Sequence, residues 1–194
     1  MPSEPARRIA TYDDVLAAPR DQVAELLAGE LHLHPRPALP HAAAASALGE
    51  ELGPPFKRGK GGPGGWLIVH EPEIHLGDDV LVPDLGGWRR TTIALLPNAG
   101  FATTRPDWVC EVLAPSTEKI DRTTKLPIYA HAGVGHAWLV NPTLRMLEVL
   151  RLRDGQWTLL ATHRDDEVVR AEPFDAIALD LSILWADVES TPTA

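Results

Sequence analysis

Trp108-Val109-Cys110-Glu111-Val112-Leu113 is apolar on both sides apart from one carboxylate. Apolar side chains at odd and even positions alike mark a strand covered on both faces, and such a strand belongs in the middle of a sheet. Side chains alternate along a strand, so Val109, Glu111 and Leu113 share a face. A carboxylate there is expensive to desolvate unless a cation or hydrogen-bond donors meet it. Upstream stands Val82-Pro83-Asp84, and downstream Asp121-Arg122-Thr123-Thr124-Lys125. Two acids followed by a lysine suit metal-assisted phosphodiester hydrolysis, in which carboxylate oxygens hold Mg²⁺ and an ammonium meets developing charge.

Working outward, Thr11-Tyr12-Asp13-Asp14 reads as a capping box that starts a short helix to about Ala18, before Pro19. Val23 to His34 reads as a hairpin turning at Ala28-Gly29, with Leu31 and Leu33 inward and His32 and His34 outward. Pro40 opens a helix to Leu52 with Ala44, Ala47, Leu48 and Leu52 on one buried stripe. The stretch from Gly53 to Gly65 is so rich in glycine and proline that a mobile loop is expected. Strands follow at Trp66 to Glu71, Glu73 to Leu76 and Val80 to Asp84, which puts Val80, Val82 and Asp84 on one face. Arg89 to Thr104 has no clear period and leaves room for a short helix.

Beyond Leu113, a helix is expected from near Asp121 to Ala132, stopped by Gly133 and blemished by Pro127. Asp121, Lys125 and Tyr129 recur at intervals of four and lie along one side of it. Ala137 to Val140 is a further strand, and Met146 to Leu152, Asp154-Gly155 and Trp157 to Thr162 form a hairpin. Strands and helices intermingle without an obvious linker. The expectation is therefore one mixed α/β domain over 1–194, with its core at about 12–185 and short flexible termini.

Composition removes several classes. The chain has 194 residues and a net charge of −9, so a broad basic nucleic-acid face is not expected, although acids gathered round a cation are compensated locally. One cysteine, Cys110, excludes an internal disulfide and reads as a buried thiol. The N-terminus lacks a signal-peptide pattern and no apolar run reaches membrane length, so a cytoplasmic protein without a membrane partner is expected. The histidines have neither metalloprotease spacing nor accompanying cysteines, which argues against zinc. Lys57-Arg58-Gly59-Lys60 lacks the ending of a P-loop and reads first as a solvated loop, second as a grip on DNA backbone. Ser116 has no nucleophile-elbow context, and the six tryptophans read as packing residues. The bland alternative makes Asp84 a turn cap, Glu111 an arginine partner, and Asp121 with Lys125 an ordinary helical ion pair.

The run Val82-Pro83-Asp84, Glu111-Val112-Leu113-Ala114-Pro115-Ser116-Thr117, Asp121, Lys125, Tyr129-Ala130-His131-Ala132-Gly133-Val134 and Trp138-Leu139-Val140-Asn141-Pro142 resembles the Uma-type restriction endonucleases. These are a largely bacterial branch of the PD-(D/E)XK nuclease superfamily. Glu25-Leu26-Leu27-Ala28-Gly29-Glu30-Leu31 and His41 extend the resemblance, which runs from about Tyr12 to Trp185. It implies a restriction-endonuclease-like core, a central mixed sheet flanked by helices. It also implies that Asp84 and Glu111 are metal ligands, with Glu25 as a supporting acid. The superfamily's usual lysine position, two residues after the second acid, is Leu113 here, and Lys125 takes its place. Asn141 and Ala114 stand where Asp and Ser are common, away from the expected ligands.

The resulting expectation is a Mg²⁺- or Mn²⁺-dependent endonuclease acting on DNA. In it Asp84, Glu111 and Lys125 are catalytic, Asp121 and Tyr129 position Lys125, and Glu25 and His41 support the site. Superfamily members often pair, so a homodimer is expected. The alternative is a catalytically silent nucleic-acid-binding or scaffold protein of the same fold, favoured by the acidic balance and the lack of a recognition module.

Overall fold

The computed structural model describes residues 8–188, and the flexible termini expected from the sequence fall largely outside the described residues. Helix α1 (Tyr12–Leu16) starts where the capping box is expected, with Thr11 N donating to Asp14 Oδ2 at 2.8 Å, and stops two residues short of Ala18. Strands β1 (Gln22–Leu27) and β2 (Glu30–Pro35) make the expected hairpin. Its faces differ from expectation: Leu33 is 41% exposed, while His34 turns toward Glu25. A buried carboxylate needs a polar partner more than the sheet needs to cover one leucine.

Helix α2 (Leu39–Leu52) buries Ala44, Leu48 and Leu52, with Ala47 at the margin of the core. The expected mobile loop after it is ordered in its first half. Gly53–Lys57 prolongs α2 as one wide π turn that buries Pro55 and Phe56, and Lys57 Nζ donates to Ile68 O at 2.9 Å.

Strands β3 (Trp66–His70), β4 (Ile74–Leu76) and β5 (Asp79–Leu81) follow. The strand expected over Val80 to Asp84 ends at Leu81, because Pro83 has no N–H to give a ladder. The chain crosses between sheets at Val82-Pro83-Asp84 and resumes as β6 (Leu85–Arg89). Gly86 and Gly87 disguise this strand in the sequence. In the fold, Gly87 makes room for an indole: a Cβ there would stand 2.9 Å from the Trp108 ring. Arg89 to Thr104 forms turns and an isolated bridge between Ala102 and Ile74, not a helix.

Strand β7 (Trp108–Val112) is buried at every position, as the opening stretch requires. Helix α3 (Glu118–Ile120), a π turn (Asp121–Lys125) and α4 (Leu126–His131) then run on in right-handed backbone, starting earlier than expected. Pro127 falls in the first turn of α4, where its missing N–H is tolerated. Strands β8 (His136–Asn141), β9 (Met146–Arg153) and β10 (Gln156–Arg164) complete the main sheet. The short pair β11 (Val168–Val169) and β12 (Leu179–Asp180) and a 3₁₀ turn (Leu181–Leu184) close the described chain.

The main sheet has the order β10-β9-β8-β7-β6-β3, and a second sheet the order β2-β1-β5-β4. β7 and β8 run parallel through the helical crossover, and β7 and β6 antiparallel with Leu85 opposite Cys110. Alternation splits the core in two. Trp108, Cys110 and Val112 pack with α2 and the C-terminal segment, whereas Val109 and Leu113 pack with Leu126, Tyr129, Leu27 and Leu81. Phe174 anchors the first cluster, its ring 4.8 Å from Trp66 and 4.9 Å from Trp108 between centroids. Glu111 lies on the opposite face, between the main sheet, the helix and the second sheet. No helix among the described residues is long and apolar enough to cross a membrane.

Candidate functional site

Five elements bring charged groups to one cavity of about 60 Å³, room for a few water molecules. β1 contributes Glu25, the intersheet crossing Asp84, β7 Glu111, the π turn Asp121 and Lys125, and the first turn of α2 His41. Glu25, Glu111, Asp121 and Lys125 are each 5% exposed or less. Such burial of four ionisable side chains is tolerable only because they compensate one another.

Lys125 is the hub. Its Nζ lies 3.1 Å from Glu25 Oε2, 3.2 Å from Glu111 Oε2 and 3.2 Å from Asp121 Oδ1. The contact with Asp121 is the four-residue spacing seen in the sequence. Tyr129 shares that helix side, but its hydroxyl donates to Glu111 Oε1 at 2.6 Å, so it orients Glu111 where the sequence reading has it positioning Lys125. A hydroxyl donor gains more from a carboxylate than from an ammonium, which has no lone pair to offer.

Asp84 reaches the same cavity through β6. Its Oδ2 accepts from Val112 N at 2.7 Å, and its Oδ1 lies 3.3 Å from His41 Nε2. The two acids therefore converge across the β6–β7 ladder, not through alternation on β5. Glu25 Oε1 accepts from Val82 N at 2.7 Å, tying β1 to the crossing. Its Oε2 lies 3.5 Å from His34 Nε2 and receives no aligned hydrogen bond.

The charges of these groups follow from their surroundings. Burial, with Asp121, Asp84 and Glu25 nearby, pushes the Glu111 carboxyl well above its usual range despite Lys125. Burial also raises the Asp121 carboxyl, with Lys125 opposing. Glu25 moves the other way: burial opposes its charge, but Lys125, His34 and Val82 N outweigh it and lower its pKa. For Lys125, burial is overcome by Glu111, Glu25 and Asp121, which hold the ammonium well above its ordinary value. Asp84 likewise overcomes burial and raises His41. Burial and the Glu111 charge keep the Tyr129 phenol neutral. Cys110 is a free buried thiol pushed up by burial.

Six of the seven residues singled out in the sequence thus line one cavity, and the seventh, Tyr129, stands behind Glu111 and reaches it through that carboxylate. Among the described residues, no three His, Cys, Asp or Glu side chains stand in a ready-made metal-ligating set. The donor chemistry nonetheless suits a hard divalent cation, with carboxylate oxygens on the cavity wall and Glu25 Oε2 lacking an aligned donor. Sequence reading missed His34, Glu71 and Thr117 on the same wall. The hairpin register offered a signal for His34, since Val23 opposite it shares a face with Glu25. Asn141 keeps a capping role without being Asp, accepting from Leu144 N at 3.0 Å.

The crystal structure of "a putative nuclease belonging to DUF820" from Anabaena variabilis superposes with a TM-score of 0.70 at 21% identity. The alignment covers 91% of this chain and 98% of that one. This likeness shows the fold, a central mixed sheet flanked by helices. A comparison with curated proteins found no match. Residues 9–183 match the model of the Uma2 family, described as "Putative restriction endonuclease". With nearly the whole described chain inside that match, the protein belongs to the Uma2 family of restriction-endonuclease-like proteins.

Proposed function

We propose that this chain is a Mg²⁺- or Mn²⁺-dependent endonuclease that hydrolyses DNA phosphodiester bonds at the cavity between β7, the crossing at Asp84 and the π turn. The observation that carries this reading is the meeting of Asp84, Glu111, Glu25 and Lys125 at one cavity in a chain of a nuclease-like family. Asp84 and Glu111 would hold the cation, with Glu25 in support. When bound, the cation supplies Lewis-acid polarisation of the phosphodiester.

The protein's own groups divide the remaining work. Lys125 is held protonated, so it acts as a cation that meets charge developing on the phosphoryl oxygens, not as a base. Asp121 fixes its ammonium from one turn away. Tyr129 fixes one oxygen of Glu111, and His41 one oxygen of Asp84. Glu25 stays ionised and presents an acceptor for a water proton on the cavity wall.

One observation favours a second reading, a DNA-binding protein of the same fold without turnover. Both oxygens of Glu111 are already engaged, by Tyr129 and Lys125. Plasmid cleavage with Mg²⁺ or Mn²⁺ separates the two, using wild type, Asp84→Ala and Lys125→Met, each checked for folding. Metal-dependent cutting lost in both variants supports the endonuclease. Folded wild type that cuts neither plasmid nor short duplex with either metal rejects it in favour of the binding protein.

A further inference from the structure

The glycine-rich stretch after α2 is unexplained by the cavity, and it is better ordered than its composition suggests. Lys60 N donates to Pro54 O at 2.8 Å, Gly64 N to Pro55 O at 2.8 Å, and Arg90 N to Gly65 O at 2.8 Å. Gly62 is pressed so closely on Pro55 that a Cβ would stand 2.5 Å from the ring carbon. Within this pinned loop Gly59, between Arg58 and Lys60, packs on Gly64 just before Trp66, which lies opposite Arg89, while the Arg58 guanidinium lies near Gly53. The Arg89 guanidinium sits over the Trp66 ring, 4.4 Å from its centroid. Arg58, Lys60, Arg89 and Arg90 are all exposed. Among the described residues no side-chain ion pair joins any of the four to a carboxylate, although Arg90 Nη1 donates to Ala94 O at 3.0 Å and the Arg89 backbone N–H to Asp107 Oδ2 at 2.7 Å.

Four exposed cations clustered on one pinned corner are notable in a chain of net charge −9. Arg20, Arg145 and Arg153 also lack a carboxylate partner among the described residues but lie scattered, so it is the clustering of these four that suits a polyanionic partner. β6 links the corner to the cavity: it runs from beside Asp84 to Arg89, about 17 Å at the rise of a strand. That length spans about five base-pair steps of duplex. We infer that Arg58, Lys60, Arg89 and Arg90 form a phosphate-contacting surface that holds the DNA backbone along the β3–β6 edge. The inference rests on the nuclease reading for its choice of DNA, but the contact it describes is independent of catalysis.

The test is the salt dependence of DNA binding, measured by fluorescence anisotropy in EDTA on a labelled duplex long enough to reach from cavity to corner. The triple variant R58Q/K60Q/R90Q leaves Arg89 stacked on Trp66. It removes three phosphate contacts, so the slope of log K against log salt shrinks by about 2 to 3. R20Q/R145Q/R153Q, which neutralises three scattered cations, keeps the wild-type slope, and thermal unfolding establishes that both variants are folded. An unchanged slope in the first triple, an equal loss in both, or no DNA binding by wild type overturns the inference. Cleavage with Mn²⁺ at low salt keeps the two proposals apart. Cutting by wild type with an unchanged slope in the first triple rejects the corner alone. A corner-dependent slope without cutting upholds the corner and rejects the nuclease.

Discussion

Tyr129 gives its hydroxyl to Glu111 Oε1 at 2.6 Å while Lys125 takes the other oxygen of the same carboxylate at 3.2 Å. One helix side therefore grips one strand residue by both oxygens. The i, i+4 spacing of Lys125 and Tyr129 makes this grip possible, and the π turn ending at Lys125 sets its phase. The arrangement explains how β7 carries an acid in an otherwise apolar run without breaking the sheet.

Tyr129→Phe keeps the ring in the core and removes only the donor. Glu111 then loses a buried partner, at a cost of about 1–3 kcal/mol in urea unfolding. If the endonuclease reading holds, Mn²⁺-dependent cutting falls about 10–100-fold, as expected for a group that orients a ligand. Unchanged cutting in a destabilised variant would make the hydroxyl purely structural.

Lys125→Met leaves Glu25, Glu111 and Asp121 without their shared cation, at a cost of about 3–5 kcal/mol. The double variant Lys125→Met/Glu111→Gln recovers part of that loss, because an amide on β7 needs no cation and its oxygen still accepts from Tyr129. A double-mutant cycle on denaturant midpoints measures this coupling. Strict additivity would show that the two residues do not depend on each other.

The site was more legible than its supports. Glu111 stood out because a carboxylate in Trp108-Val109-Cys110-Glu111-Val112-Leu113 breaks an apolar pattern, and Asp121, Lys125 and Tyr129 because helical spacing aligns them. β6 was hidden because Gly86-Gly87 reads as a break when only neighbouring residues are considered, whereas the strand is fixed by indoles from distant segments. Asp84 was found, but the route to it was not: Pro83 ends one ladder and the chain joins another. His34 was hidden by a pattern rule that sends leucines inward, which the buried Glu25 overrides. The Gly53–Gly65 stretch misled for a related reason, since its order comes from carbonyls of its own π turn.

His136 provides a pH test far from the cavity. Burial holds its imidazole below the usual 6.5, with Glu172 opposing and Arg151 and Arg89 reinforcing the shift. A folded-state pKa below the unfolded value means that the unfolded chain binds the proton more readily. The contribution of His136 is then present above pH 6.5 and is lost as pH falls through the depressed folded value. His136→Gln removes this dependence, so the stability difference between wild type and variant narrows as pH is lowered from neutrality. Urea unfolding at several pH values measures it, and a difference that widens on acidification would reverse the assigned sign.

Gly87→Ala tests the packing that admits β6 to the sheet. The added Cβ would stand 2.9 Å from Trp108 and 3.4 Å from Trp66, and both rings are buried with Phe174 against them. Neither indole can swing to solvent, so relief has to come from a shift of β6 against β7. Overpacking of this kind costs about 1–3 kcal/mol. Because Leu85 pairs with Cys110 and Asp84 precedes it, that shift also displaces Asp84 from Val112 N. The variant should therefore bind Mn²⁺ more weakly than its stability loss alone predicts, as judged by calorimetric titration on fully folded protein. Wild-type Mn²⁺ affinity in a destabilised Gly87→Ala would mean that the position of Asp84 does not depend on the register of β6.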